Sequence, residues 1–167
     1  INATYTPNGR FDGAYLFDNV NPYQYIDIIP DFTLGQNITI SAWIKPRITT
    51  ESHIIGMSNS QLYIVGGSLY WKPSTNCVIN PSGIIQNNWN HVALVQNDTN
   101  TIYYVNGVRT ITSGCLAPSV TFQCIAGYGT CQSYSGRLNF NGTIDEVRIY
   151  NRALSTAEIS NLYNSAI

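Results

Sequence analysis

Charge is what this sequence has least of. Lys and Arg number 8, Asp and Glu 9, and together they make up 10% of 167 residues, against roughly 25% in an average soluble protein. The formal net charge of −1 excludes an electrostatic nucleic-acid binder, which needs a basic stripe to displace counterions. No apolar run reaches the roughly 18 residues of a membrane-spanning helix, so no membrane insertion is expected. Histidine is scarce as well, limited to His53 and His91, and none of the four cysteines forms a Cys-x-x-Cys pair. A zinc centre therefore lacks a ligand pattern. The opening Ile1-Asn2-Ala3-Thr4 has neither a basic start nor an apolar stretch, as expected of a processed chain or an excised domain.

Neutral polar residues take the place of charge. Nineteen Asn and twenty-nine Ser or Thr are spread along the chain. They create sequons at Asn2, Asn37, Asn97 and Asn141, the candidate N-glycosylation sites. At this composition about three sequons arise by chance, so their number is no enrichment. Apolar residues still make up 44% of the chain, enough for one buried core in a chain of this length. An even set of cysteines, Cys77, Cys115, Cys124 and Cys131, in so uncharged a chain fits an oxidising, extracellular setting. Three pairings are open. One closes the short glycine-bearing loop between Cys124 and Cys131 and leaves Cys77 with Cys115.

Short β-prone segments recur about every ten residues with turn residues between them, the pattern of a two-sheet sandwich or barrel. Ile38-Thr39-Ile40-Ser41-Ala42-Trp43-Ile44 alternates with period two, putting the isoleucines and Ala42 on one face and Thr39, Ser41 and Trp43 on the other. Further strands are expected at 14–17, 25–28, 53–57, 61–65, 68–72, 91–96, 101–105, 108–111, 120–125 and 142–150. Gly66-Gly67 and Asn106-Gly107 are two-residue hairpin turns. Ser155-Thr156-Ala157-Glu158 is a capping box for one terminal helix. With no linker, repeat or low-complexity block, residues 1–167 are expected to form a single all-β domain.

Several stretches then read together. Gly9-Arg10-Phe11-Asp12-Gly13-Ala14-Tyr15-Leu16-Phe17-Asp18 leads to Tyr25-Ile26-Asp27-Ile28. Thr39–Pro46 is followed by Trp89-Asn90-His91-Val92-Ala93 and Tyr104-Val105-Asn106-Gly107. Phe140-Asn141-Gly142-Thr143-Ile144-Asp145-Glu146-Val147-Arg148-Ile149-Tyr150-Asn151-Arg152-Ala153-Leu154-Ser155 closes the set. The ordered series resembles the laminin-G-like jelly-roll domains of the concanavalin A-like lectin/glucanase superfamily, over nearly the whole chain. The resemblance implies two curved antiparallel sheets packed face to face, with the N- and C-terminal strands adjacent. It also implies an extracellular recognition or adhesion module, often calcium-binding, with glycans or surface proteins as partners. Fold alone does not set function.

Simple alternation puts Asp145 on one strand face with Val147 and Ile149, where a carboxylate needs a cation or several donors. The resemblance favours a structural calcium ion held by Asp145, with Asp12 or the Gly13 carbonyl supplying further ligands. The alternative is a carboxylate capped by backbone amides. His91, beside Ala93 and Val95, reads as a hydrogen-bonded core residue. Glycoside hydrolysis needs two carboxylates across a cleft, about 5–9.5 Å apart. The three glutamates do not offer that: Glu158 belongs to the helix cap, Glu51 to a loop, and Glu146 faces away from Asp145. The Glu-x-Asp-x-x-Glu or Glu-x-Asp-x-Glu pattern of the superfamily's glucanases is absent, and the expectation is a non-catalytic domain. Candidate sugar platforms are Tyr128 and Tyr134 near Cys131, Tyr23 in an Asn-Pro turn, and Trp71 at a strand end. Each is equally a normal strand or loop aromatic. A second class of function is a self-assembling domain of a cell-surface filament, stalk or adhesin, a homo-oligomer whose uncharged faces pack closely.

Overall fold

A computed structural model describes residues 3–18, 24–48, 50–58, 60–73, 81–128, 131 and 139–165. Among them twelve strands build two antiparallel sheets. The strands are β1 (Thr4–Thr6), β2 (Ala14–Phe17), β3 (Ile26–Leu34), β4 (Ile38–Pro46), β5 (Ser52–Met57) and β6 (Gln61–Val65). They continue as β7 (Ser68–Lys72), β8 (Asn90–Gln96), β9 (Thr101–Val105), β10 (Val108–Ser113), β11 (Val120–Ile125) and β12 (Gly142–Tyr150), followed by helix α1 (Thr156–Asn164). One sheet has the order β1-β2-β12-β4-β8-β9-β10 and the other β3-β11-β5-β6-β7. The sandwich and its terminal helix are those the alternating pattern predicts, and β2 lies beside β12, joining the two ends of the chain.

The core fills the space between the sheets. Ile38, Ile40, Ala42 and Ile44 of β4 face Ile55, Leu62, Ile64, Leu69 and Trp71 from the opposite sheet, with Phe17, Phe122 and Phe140 completing the layer. The other face of β4 is also buried. Trp43, Ser41 and Thr39 lie beneath the C-terminal segment, where Leu154 and Ile159 join Ala93, Val95 and Tyr104 in a second apolar cluster. Thr39 fixes that segment, its hydroxyl donating to the Arg152 carbonyl at 2.9 Å and accepting from the Leu154 amide at 2.9 Å. The capping box forms as expected, with Ser155 and Glu158 reciprocally bonded at the start of α1.

Asn106 and Gly107 take φ of 52° and 75°, the left-handed pair of a primed hairpin turn that aligns β9 with β10. Three features depart from the sequence reading. β1 is an additional strand paired to β2. β3 runs on through Pro30, which an edge strand tolerates because no neighbour needs its missing N–H. Most consequentially, β12 carries a bulge between Asp145 and Arg148, with Glu146 at φ 51°.

Candidate functional site

The bulge changes the reading of Asp145. Asp145 pairs with Trp43, Arg148 with Ser41 and Tyr150 with Thr39, while Ile144 and Ile149 pair with Ile44 and Ile40. Asp145 therefore shares a face with Arg148 and Tyr150, not with Val147 and Ile149, because the extra residue inverts the alternation. Its carboxylate is 8% exposed and filled with backbone donors. Oδ2 accepts from the Arg10 amide at 2.7 Å and the Phe11 amide at 3.2 Å, and Oδ1 accepts from the Glu146 amide at 2.8 Å. The turn containing Asp12 and Gly13 closes over it, with the Gly9 amide donating to the Asp12 carbonyl at 2.9 Å. A Cβ on Gly9 would lie 2.7 Å from Asp145 Oδ2. A donor set of N–H groups suits an anion, and three of them make the amide-capped arrangement. The Asp12 carbonyl oxygen and the Gly13 backbone gather beside the same Oδ2, all within 3.0 Å of that Cβ position. Among the described residues no three His, Cys, Asp or Glu side chains converge as a metal cluster.

Trp71 requires correction as a sugar platform. It is 0% exposed because alternation along β7 turns it inward opposite Leu62. Tyr23, Tyr134, Cys77 and Asn2 lie outside the described residues. Cys124 and Cys131 are disulfide-bonded, closing the short loop, and Cys115 is disulfide-bonded as well. Of the sequons, Asn37 donates to Asp98 at 2.8 Å. Asn97 accepts from its own turn, from the amides of Thr99 and Asn100, and Asn141 stands just before β12.

Tyr128 leads to a constellation that the sequence reading did not assemble. On the outer face of the five-stranded sheet, His53, Tyr63 and Tyr70 occupy one row across β5, β6 and β7. Their rings stack, His53 on Tyr63 at 4.9 Å and 14°, Tyr63 on Tyr70 at 5.1 Å and 18°. These separations match the spacing of neighbouring strands. Tyr128 meets His53 edge to face at 4.8 Å and 77°. A bulge at Gln123 brings Cys124 opposite Gly56, in register with Gln61, so the disulfide holds the Tyr128 loop against this same face. Any Cβ on Gly127 would clash with the Cys124 sulfur.

Glu51 completes the group. Its carboxylate, 41% exposed, accepts from buried His53 Nε2 at 3.0 Å. Burial lowers the His53 pKa, outweighing the opposing pull of Glu51. The imidazole is therefore neutral at pH 7, its Nε2 proton directed to Glu51. Burial, with Glu51, Tyr70 and Tyr128, raises the pKa of the Tyr63 phenol. His53 and Tyr63 form a buried base; Tyr70, Tyr128 and Glu51 are the half-buried rim. Phenol hydroxyls donate and accept and a carboxylate accepts, so this rim suits a polyhydroxylated ligand.

Two other places are less suited. A cleft of about 320 Å³ between the sheets is lined mainly by apolar residues such as Ala14, Phe17, Ile26, Ile144 and Val147, with Asp145 and Glu146 at its side. Of its two carboxylates, Asp145 is occupied by amides and Glu146 by Arg148. His91 lies beneath the C-terminal segment, bonded to Ser41 Oγ at 2.9 Å and ringed by Trp43 and Tyr163, as expected of a core histidine. Glu146 is paired with Arg148 and Glu158 with Arg152.

Two facing antiparallel sheets, a covering terminal helix and an aromatic rim on one outer face define a lectin-like sandwich. The family model described as the concanavalin A-like lectin/glucanases superfamily, Laminin_G_3, matches residues 18–160, and the chain belongs to that family. Among solved structures it is similar to the native heptameric SAP-like pentraxin of Limulus polyphemus, with TM-score 0.73 and 15% identity, covering 90% of this chain and 80% of that one. It is similar to domain 4 of AbnA, a GH43 extracellular arabinanase from Geobacillus stearothermophilus, in complex with arabinotriose (TM-score 0.73, 20% identity, 98% and 82% covered). A third is the CBM40 of the Ruminococcus gnavus IT-sialidase bound to α2,3 sialyllactose (TM-score 0.65, 17% identity, 78% and 84% covered). Among curated proteins none matches the chain.

Proposed function

We propose that this chain is an extracellular, non-catalytic carbohydrate-binding domain whose ligand site is the outer face of the five-stranded sheet at Tyr63, Tyr70, Tyr128 and Glu51. The observation that carries the reading is the stacked row His53–Tyr63–Tyr70 with a disulfide-held Tyr128 against it. Sugar hydroxyls need closely spaced donors and acceptors beside rigid apolar surface, and aromatic residues supply that surface at low entropic cost. Similar folds in complex with arabinotriose and with sialyllactose support a glycan as the ligand class. Disulfides and the near absence of charge support an extracellular setting. The two carboxylates at the cleft, Asp145 and Glu146, are adjacent on one strand and engaged by backbone amides and by Arg148, which supports binding without hydrolysis.

A glycan array probed with the purified domain, once with calcium and once with chelator, tests the reading. Saturable binding to one sugar class in both conditions is expected. A blank array in both would remove the carbohydrate reading.

Self-assembly is the second reading, favoured by the open edge at β3, where Ile29 is 84% exposed and the outer backbone edge lacks a strand neighbour in the described sheet. Such edges pair readily with other chains. Light scattering between micromolar and millimolar concentration separates the two: a constant mass removes assembly, and growing oligomers without sugar favour it.

A further inference from the structure

We propose that, of the three sequons among the described residues, Asn97 is the one that carries an N-linked glycan, while Asn37 and Asn141 stay bare. The inference does not rest on the carbohydrate-binding reading, because it concerns a sugar attached to the chain and not one bound by it. All three sequons supply the same residue types, so the fold has to separate them. Asn97-Asp98-Thr99 occupies the turn between β8 and β9, closed by the Asn97 amide donating to the Asn100 carbonyl at 2.9 Å. There the Asn97 carboxamide oxygen accepts from the Thr99 hydroxyl at 3.1 Å, the Thr99 amide at 3.0 Å and the Asn100 amide at 2.8 Å. These bonds hold the side chain by its oxygen and bring the sequon hydroxyl onto the carboxamide. Nδ2 has no partner among the described residues and is not buried. It faces solvent beside exposed Asp98 and Thr99.

The other two sequons are placed differently. Asn37 Nδ2 donates to Asp98 Oδ1 at 2.8 Å, and the hydroxyl of its Thr39, a residue 0% exposed, is engaged by Arg152 and Leu154. Asn141 buries its carboxamide oxygen without a partner. Its sequon runs into β12, where Gly142 and Thr143 are paired with β2 on one side and β4 on the other. A bulky sugar chain needs a surface acceptor, and the Asn97 turn alone of the three combines a free nitrogen with the sequon hydroxyl at the carboxamide. The co-reactant is a polyprenyl-diphosphate-linked oligosaccharide, delivered by an oligosaccharyltransferase during secretion. Nδ2 gives up one proton and bonds to the anomeric carbon as the bond from that carbon to the diphosphate oxygen breaks, and the polyprenyl diphosphate leaves with the electron pair. In a chain with so little charge the hydrated glycan adds solubility. It stands on the seven-stranded sheet, whereas the ring row belongs to the five-stranded one.

The test secretes the chain from a eukaryotic cell line and treats it with peptide N-glycosidase in water labelled with heavy oxygen, which turns each occupied Asn into a mass-tagged Asp. Peptide mass spectrometry then reads occupancy at each sequon. Occupancy at Asn97 is expected to exceed that at Asn37 and at Asn141 roughly tenfold. Thr99→Ala is expected to abolish it and Thr99→Ser to keep it, with circular dichroism confirming that both variants fold. The wild-type peptide map decides the site by itself, so the outcome does not depend on the variants. Asn97 left bare in the secreted wild type overturns the proposal, as does comparable occupancy at Asn37 or Asn141.

Discussion

Asp145 and His91 face the same side of the seven-stranded sheet, and their chemistry is opposite. Asp145 gathers three amide hydrogen bonds and ties the 9–13 turn to β12. Asp145→Ala leaves those donors without an acceptor and is expected to cost about 2–3 kcal/mol, several degrees in Tm for a domain of this size. The loss should be equal in calcium and in EGTA; a loss confined to calcium would place the metal at this carboxylate. That Asp145 is satisfied was legible as one of two readings, but which face it occupies was not. The bulge depends on Glu146 adopting a positive φ, which no local residue preference announces.

His91 is held down to about 4 by burial, with Arg148 adding to it. Between pH 6.5 and 4 the unfolded chain binds a proton here that the folded chain refuses. Stability is therefore full above pH 6.5 and falls as the pH drops through this window, by about 3 kcal/mol over its whole width. Buried His53 acts in the same direction. Urea midpoints measured from pH 7 to pH 4.5 should decline in wild type and decline less in His91→Gln. A slope identical in both would mean that His91 titrates normally in the fold.

At the scale of elements, the Cys124–Cys131 loop matters most, because it joins β11 to the site. Replacing both cysteines by serine opens a loop with a sequence separation of 7, expected to cost about 2–3 kcal/mol. The folded protein should also lose glycan affinity, since Tyr128 is no longer held on His53. Retained affinity would show that Tyr128 reaches its place without the disulfide. Half of the ring row could be read from the sequence: a two-residue turn at Gly66-Gly67 puts Tyr63 opposite Tyr70 with no further information. His53 could not, because its place depends on the β5–β6 register and on a bulge at Ile54. Trp71 misled for a related reason. Its position at the end of a short strand suggests exposure, but the strict alternation of β7 with Leu69 turns it into the core.

For the whole molecule, every strand but β1, the hairpins and the capped helix were legible, since local alternation and turn chemistry specify them, although β3 runs further than expected. The ligand face was not, because it is made by pairing between strands far apart in the chain and by a loop closed through sulfur. In the proposed reading the domain keeps its base rigid and its charge sparse, and the rim tyrosines meet the ligand. The most direct test is to bring the Tyr70→Ala, Tyr128→Ala double variant to the sugar class that wild type binds, with thermal melting alongside. Loss of at least tenfold in affinity with both proteins still folding cooperatively is the expected result. Wild-type affinity in the folded double variant would contradict the central claim and move the site off this face.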